Sequence, residues 1–229
     1  MKTALIKNHL QEVSLFKDLS EEEIQPIVDI SQLRTYPARS FVFMQGEPLD
    51  RVFFIHSGKV KINKTDLSGK EQIVSILEDG DMFPHAGFFR KGNFPAHAEI
   101  LETSELIVIP VGQFEQILLT YPELCMKMFK VLGEKIVDLQ NRLEEKILRD
   151  TYEQIVMLLL RLCKSNGEQV GEWYKLTTHF TNRELANMIG TSRETINRTI
   201  NRLRKKDMID TDEEGYFIIK LENLEDEII

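Results

Sequence analysis

Cysteine is nearly absent: Cys125 and Cys163 are the only two in 229 residues. Two thiols so far apart do not make a cysteine-clustered metal centre or the disulfide scaffold of a small secreted domain. Each sits in an apolar helical pattern, the setting of a buried, reduced thiol. No apolar run is long enough to cross a bilayer. The first residues also lack the succession of an export leader, so a cytoplasmic protein with no membrane partner is expected. A Gly-rich phosphate loop, a nucleophile elbow and a catalytic-triad pattern are missing too, and no enzyme is read from the chain. Basic charge is in deficit, with 29 Lys and Arg against 37 Asp and Glu and a formal net charge of −8. Such a chain does not coat nucleic acid indiscriminately; it suits a protein that touches it through a small basic face.

The length allows one large or two modest domains, each with a sizeable core. After a short N-terminal helix, Ser20-Glu-Glu-Glu23 offers a capping box leading into Ile24, Ile27 and Val28. From about Tyr36 the apolar runs shorten to a period near two, at 41–43, 52–55, 60–62 and 73–76. Gly46, Gly58, Gly69 and Gly80 fall between them at spacings of 12, 11 and 11. Turn signals at that interval predict an antiparallel sandwich or barrel, continued by strands at 98–100 and 106–109 and a helix near 112–119.

Pro122 then opens a long helix at a position where its missing N–H does no harm. Met128, Leu132, Ile136, Leu139, Leu143 and Ile147 recur at steps of 4, 4, 3, 4 and 4, close to a heptad seam. Lys135, Asp138, Arg142, Glu145 and Lys146 occupy the other faces. One side of such a helix can pack on its own barrel. A narrow seam flanked by charge points to a second copy of the same helix, and so to a parallel homodimer with those six residues at the interface. A new apolar helix begins at Asp150 or Thr151 and stops at 165–167. The chain therefore divides into a roll with N-terminal helices over 1–121, a dimerisation helix over 122–149 and a C-terminal domain over 150–229.

The densest chemical signal lies at 181–203. Thr181 and Glu184 form a capping box, Leu185, Ala186 and Ile189 an apolar stripe, and Gly190 a helix stop. Ser192 caps a second helix in which Ile196, Ile200 and Leu203 face inward at i, i+4, i+7. Arg193, Glu194, Asn197, Arg198, Asn201 and Arg202 are left outside. A solvated amphipathic helix is the plain alternative. Against it, six basic residues face one acid between Thr191 and Lys206, contrary to the acidic chain, after a turn of helix-turn-helix length. Arginine forks match guanine O6 and N7, a carboxylate accepts from cytosine N4, and a helix fits the major groove. Arg193, Glu194, Asn197 and Arg198 are the candidate readers of bases in double-stranded DNA. A strand is expected at 173–176. The runs at 208–210 and 216–219 flank Asp212-Glu-Glu-Gly215 as a β-hairpin wing, and the acidic end from Glu222 reads as a solvated tail.

A glycine-punctuated β-roll, a long helix and a winged helix-turn-helix, in that order, resemble the Crp/Fnr family of bacterial transcription regulators over roughly residues 15–219. The most specific piece is Gly190-Thr-Ser-Arg-Glu-Thr-Ile-Asn-Arg198. It is similar to Gly-x-Ser-Arg-Glu-Thr-x-x-Arg in the recognition helix of the family's cyclic-AMP receptor protein branch. The resemblance implies an α+β fold with a cyclic-nucleotide-binding-like antiparallel jelly roll, a central dimerisation helix and a winged helix-turn-helix. It implies that Arg193 and Arg198 read guanines and Glu194 a cytosine of a TGTGA-like half-site, repeated as a palindrome about one helical turn apart. Ser192 and Thr195 would hold phosphates, joined by Thr181 and Arg202, and RNA polymerase would be a partner.

The sensing segment departs from the family pattern. Cyclic-AMP binders carry a Gly-Glu-Leu whose Glu holds the ribose, then an Arg-Ser that neutralises the cyclic phosphate. Here the stretch reads Gly80-Asp-Met-Phe-Pro84-His85-Ala-Gly87-Phe-Phe89, then Phe94-Pro95-Ala96; His85 replaces the Glu and Pro95-Ala96 the Arg-Ser. A buried phosphate without a cation or several donors is strongly disfavoured. Of the two positions expected to face adenine, Leu139 and Gln140, the first has no hydrogen-bonding group. Cyclic-nucleotide binding in the usual mode is not expected. Nor is an iron–sulfur cluster, since no cysteine precedes Cys125. No cofactor or metal is assigned. Phe83, His85, Phe89, Leu139 and Gln140 remain as a pocket for an unidentified effector, unless the regulator works without one. Haem on His85 or His97 and a thiol switch at Cys125 or Cys163 stay open. A cupin-type metal enzyme needs a His-x-His pair with a further Glu and His, and only His97-Ala-Glu99 is present.

Overall fold

The glycine-separated runs of the first half become strands, and the periodic runs of the second half become helices. The computed structural model describes residues 2–228 except 14, 18, 86, 87 and 90, so Gly87 of the sensing segment lies outside the described residues. The first elements are α1 (Lys2–Glu12), α2 (Glu21–Ile30), β1 (Gln32–Tyr36), β2 (Phe41–Phe43), β3 (Arg51–Ser57), β4 (Val60–Thr65) and β5 (Glu71–Leu77). Then come β6 (Met82–Phe83), β7 (His97–Ile100), β8 (Ser104–Pro110), α3 (Val111–Thr120) and α4 (Pro122–Leu148). The remainder holds α5 (Thr151–Asn166), β9 (Gly167–Val170), β10 (Trp173–Leu176) and α6 (Asn182–Ile189). It ends with α7 (Arg193–Lys205), β11 (Ile209–Thr211), β12 (Phe217–Ile219) and α8 (Leu221–Glu225). The chain divides into two compact units at Val137 and Asp138, within α4.

In the first unit, β1-β8-β3-β6 and β2-β7-β4-β5 form two antiparallel sheets. β3 is apolar without alternation because both of its faces are covered. Val52 and Phe54 join Ile107 and Ile109 of β8 in a cluster with α1, α2 and α3. Phe53 and Ile55 join Leu106 and Val108 in the interior shared with the second sheet. That interior is filled by aromatic rings: Phe43 stacks on Phe94 at 3.7 Å and Phe53 on Phe83 at 5.1 Å between centroids. Gly46, Gly58, Gly69 and Gly80 all have positive φ, as turn glycines should. At Gly58 nothing larger fits, since a Cβ would stand 2.2 Å from Ser104 Oγ, the oxygen that accepts from Lys59 N–H at 3.1 Å.

The first turns of α4 belong to this unit's core. Leu124 and Met128 are buried in the cluster that holds Phe114 and Leu118, and Val131 and Leu132 pack on it. Met128, 3% exposed, is therefore not available for the dimer interface expected of it: its side chain is packed into its own chain's core. The exposed apolar row on α4 is instead Met126, Phe129, Ile136, Leu143 and Ile147, with Leu139 beside it. Gly133 and Gln140 fill its gaps, and the steps then alternate strictly between 3 and 4, a truer heptad than the expected seam.

In the second unit, Asp150 caps α5. Its carboxylate accepts from Glu153 N–H, and the Glu153 carboxylate accepts from Asp150 N–H, both at 2.9 Å. α5 buries Ile155, Val156, Leu159 and Leu162. A third sheet follows in the order β11-β12-β10-β9. Residues 165–167 end the helix as expected, with Gly167 as its C-cap, and the chain passes straight from Asn166 into β9. The acidic end is not a solvated tail. It forms α8, whose Leu224 is fully buried, and Glu227 beyond it accepts from Tyr152 Oη at 2.5 Å and Lys206 Nζ at 2.6 Å. Among the described residues, no helix is long and apolar enough to cross a membrane.

Candidate nucleic-acid interface

Local chemistry fixes the two helices that carry the candidate readers. Thr181 Oγ1 accepts from Glu184 N–H at 3.2 Å and the Glu184 carboxylate accepts from Thr181 N–H at 2.9 Å, which starts α6. Gly190 ends it in the left-handed region, φ 71° and ψ 42°, with its N–H and that of Thr191 both donating to Ala186 O. Ser192 Oγ then accepts from Thr195 N–H at 3.1 Å and starts α7.

α7 buries Ile196, Thr199, Ile200 and Leu203 and exposes Arg193, Glu194, Asn197, Arg198, Asn201 and Arg202. All four expected base readers therefore lie on one exposed face, beginning at the helix N-terminus. Asn197 Oδ1 accepts from Asn182 Nδ2 of α6 at 3.3 Å, and Arg198 reaches back to Thr195 Oγ1 at 3.4 Å. The Glu194 carboxyl is held below its ordinary range by the backbone N–H at the helix start and by Ser192, so it is ionised and able to accept. Thr181 and Ser192, also exposed, sit at the N-termini of the two helices, where backbone N–H groups favour phosphate.

The basic face is more differentiated than its composition suggests. Arg204 donates to Asp210 Oδ1 at 3.2 Å and Thr211 Oγ1 at 3.0 Å, tying α7 to β11. Lys206 pairs with Glu227. Arg202 lies over the Tyr152 ring at 4.1 Å, which orders it beside α5. Arg193, Arg198 and Lys205 form no salt bridge among the described residues. Behind α7 the wing is present: Asp212 N–H donates to Tyr216 O at 2.9 Å, and Lys175 of β10 pairs with Asp212 at 2.7 Å and Glu214 at 2.8 Å.

Two further contacts were not legible as solvated helix faces. Lys146 Nζ donates to Ile189 O at 2.9 Å, placing a cation on the open C-terminal end of α6. Glu145 pairs with Arg161 of α5. The end of α4 is thus bound to α5 and α6 by charge. Only their periodic placement opposite the apolar seam gives a hint of this in the sequence.

The expected effector residues fare differently. Phe83, 1% exposed, is core of the roll rather than a pocket wall. Phe89 points to solvent, with its N–H donating to the Glu115 carboxylate, so the two do not line a common pocket. His85 is half-buried; burial and the Lys135 ammonium push its imidazole down to about 4, which keeps it neutral. Leu139 and Gln140 are exposed on α4 in the second unit. Nδ1 of His97 already accepts from Gln45 N–H at 3.1 Å. Burial pushes the Cys163 thiol up to about 12, the opposite of an activated switch.

A reading helix beside a wing, in one chain with a double-sheet roll and a long helix, defines a DNA-binding regulator built on a sensor-type domain. Comparison with known proteins agrees. A family model described as cyclic nucleotide-binding domain matches residues 33–121, and one described as Crp-like helix-turn-helix domain matches residues 153–227. The global nitrogen regulator of Nostoc sp. is 28% identical over 86% of each chain. The CRP-like cAMP-activated global transcriptional regulator of Mycobacterium tuberculosis is 27% identical over 83% of this chain and 85% of its own. The structure of a CooA mutant from Carboxydothermus hydrogenoformans superimposes with a TM-score of 0.75 over 96% of this chain and 95% of that one. At 21% identity it speaks for the fold alone. The chain belongs to the Crp/Fnr family of DNA-binding transcription regulators, a family of regulators and not of enzymes.

Proposed function

We propose that the chain is a homodimeric regulator that reads a TGTGA-like palindrome through Arg193, Glu194, Asn197 and Arg198. The observation that carries this is α7 itself: its apolar side is buried and its four hydrogen-bonding readers share one open face. Arg193 and Arg198 take guanines and Glu194 a cytosine, while Thr181, Ser192, Thr195 and Arg202 hold phosphates. The partner is double-stranded DNA in the cytoplasm, with RNA polymerase as the assembly it serves.

Dimerisation is supported by the exposed apolar row of α4, from Met126 through Phe129, Ile136 and Leu143 to Ile147. A shallow apolar hollow beside Gln140, Leu143 and Ile147 would seat the same row of a second copy. Residues 1–121 then act as a sensing domain, 122–149 as the dimerisation helix and 150–229 as the reading domain. The anchors Glu145–Arg161 and Lys146–Ile189 give α4 a grip on the reading head, so that a signal felt by α4 changes which dimer can place both heads on one duplex. A cyclic nucleotide is not the ligand in the usual mode. The roll interior is filled by phenylalanines, and buried Ala96 stands where a cation would be needed.

The test is a fluorescence-anisotropy titration of the full chain with a TGTGA palindrome and with a duplex in which both half-sites are scrambled. Equal affinity for the two at physiological salt refutes the assignment of readers; preference for the palindrome by 10³-fold or more, on the order of specific recognition, supports it.

A further inference from the structure

A cluster at the far end of the molecule from the readers in sequence is used by nothing described so far. His9 lies in the last turn of α1, and Glu12 follows one turn on, at i+3. His56 continues the Val52 and Phe54 row along β3, and Glu105 lies on the neighbouring β8. His9, Glu12 and His56 each offer one ligand atom, and these atoms lie within 4.8 Å of one another. The His9 and His56 rings face each other at only 3.1 Å between centroids, closer than aromatic pairs ordinarily settle. Glu12 Oε2 is 3.9 Å from His9 Nδ1 and Glu105 Oε2 is 3.8 Å from His56 Nε2.

Those separations are too long for hydrogen bonds. They are near what ligand atoms show around one small ion, since four donors at about 2.0–2.2 Å from a tetrahedral centre stand roughly 3.3–3.6 Å apart. Both ring nitrogens of His9 are buried and lack a hydrogen-bond partner among the described residues. A buried imidazole left so is costly, and an ion would satisfy it. The geometry points to a site for a divalent first-row transition ion, with zinc as the model occupant, held by His9, Glu12 and His56 with water in the fourth position. Two imidazoles with a carboxylate suit zinc, iron(II), nickel or manganese and not calcium or magnesium, which take oxygen ligands alone. The Glu12 carboxylate, with Glu105 near His56, offsets the charge of the ion.

The ion would join α1 to the sheet. The apolar side of α1, Ile6 and Leu10, and Val13 just after it pack in the same cluster as Leu124 and Met128, so the clamp would stiffen the bed on which α4 starts. The sequence hides this site because its halves are 47 positions apart; only the His9-x-x-Glu12 spacing on a helix hints at it. The inference does not depend on the DNA-binding reading, and its test uses no DNA.

The full chain, stripped with chelator and dialysed, is titrated with Co²⁺ alone and then with Zn²⁺. One Co²⁺ per chain with visible absorption of a four-coordinate nitrogen–oxygen site, displaced by Zn²⁺, is expected. His56→Ala should abolish the absorption and weaken Zn²⁺ by more than the roughly 10–100-fold that even an outer partner of a metal ligand is worth. Because His56 packs against α1, Glu12→Gln is the second variant; Glu12 is 76% exposed, so its loss leaves the fold intact and should weaken Zn²⁺ at least tenfold. His97→Ala should change nothing. No binding at micromolar ion, or binding unchanged in both His56→Ala and Glu12→Gln, overturns the site, as does loss in His97→Ala.

Discussion

The outer face of α7 and the outer face of the second half of α4 both lie open to solvent, and they are open in different ways. On α7 the exposed side chains are arginine, glutamate and asparagine, and the apolar ones are buried beneath. On α4 the exposed side chains include Ile136, Leu139, Leu143 and Ile147, between 56% and 70% accessible. A polar face is complete in water and needs a polar partner only to acquire specificity. An apolar row of that length is incomplete until something covers it. Under the proposed function the helices take different partners, a duplex and a second copy of the chain.

The strongest way to break this comparison is to make α4 resemble α7. Leu143→Asp places a carboxylate at the centre of the row in each copy. The dimer should weaken by about 3 kcal/mol or more, because two unpaired charges face apolar neighbours. Sedimentation at micromolar protein should show monomer, and tight binding to the palindrome should go with it while the fold persists. A dimer unchanged by Leu143→Asp would mean that the row is covered by something else.

The next largest effect belongs to α7. Arg198→Ala should cost roughly 1–3 kcal/mol on the cognate palindrome and relax the choice at one base pair, leaving the dimer intact. A binding-site selection with the variant checks both. If affinity falls equally for every sequence, Arg198 holds phosphate and the polar face is less specific than its composition suggests.

What the sequence shows of these two faces differs for a physical reason. The cap, the glycine stop and the reader positions of α7 are local features, and the capping bonds of Thr181 and Ser192 form within three residues. The strand β10, the wing and the turn glycines are legible on the same ground. The seam of α4 is only half legible, because periodicity shows that a residue is apolar and not which body it faces. Met128 satisfies the seam spacing and is claimed by the roll. Phe83 likewise reads as a pocket residue from sequence, and it is its burial and its stacking on Phe53 that put it in the core. Long-range pairs such as Tyr152 with Glu227 or His9 with His56 have no local signature at all.

A smaller effect tests whether α7 owes its order to partners outside the helix. The Tyr152 phenol is pushed up to about 12 by burial first and then by its bond to Glu227, while its ring supports Arg202. Its folded value lies above the ordinary 10, so its contribution is fully present below that pH and is lost as pH rises through 12. Tyr152→Phe should cost about 1 kcal/mol of stability at neutral pH, seen in thermal melts, and should remove that part of the alkaline decline. Base preference should stay as it was. A change in preference would show that Arg202 is a reader and that its order decides specificity.

The smallest effect separates the neighbours Arg204 and Lys205, which composition alone would treat as equal phosphate contacts. Lys205 is exposed and forms no salt bridge among the described residues, whereas Arg204 is tied to Asp210 and Thr211. Lys205→Ala should weaken all duplexes alike, by under ~1 kcal/mol at physiological salt, and lower the salt dependence of binding by about one counterion. Arg204→Ala should instead loosen the wing, lowering the melting temperature with little change in the salt slope. Measuring affinity against salt for both variants decides it. If the two slopes fall together, the Arg204–Asp210 tie opens on DNA, and the basic face of α7 is broader than its free-state pairing allows.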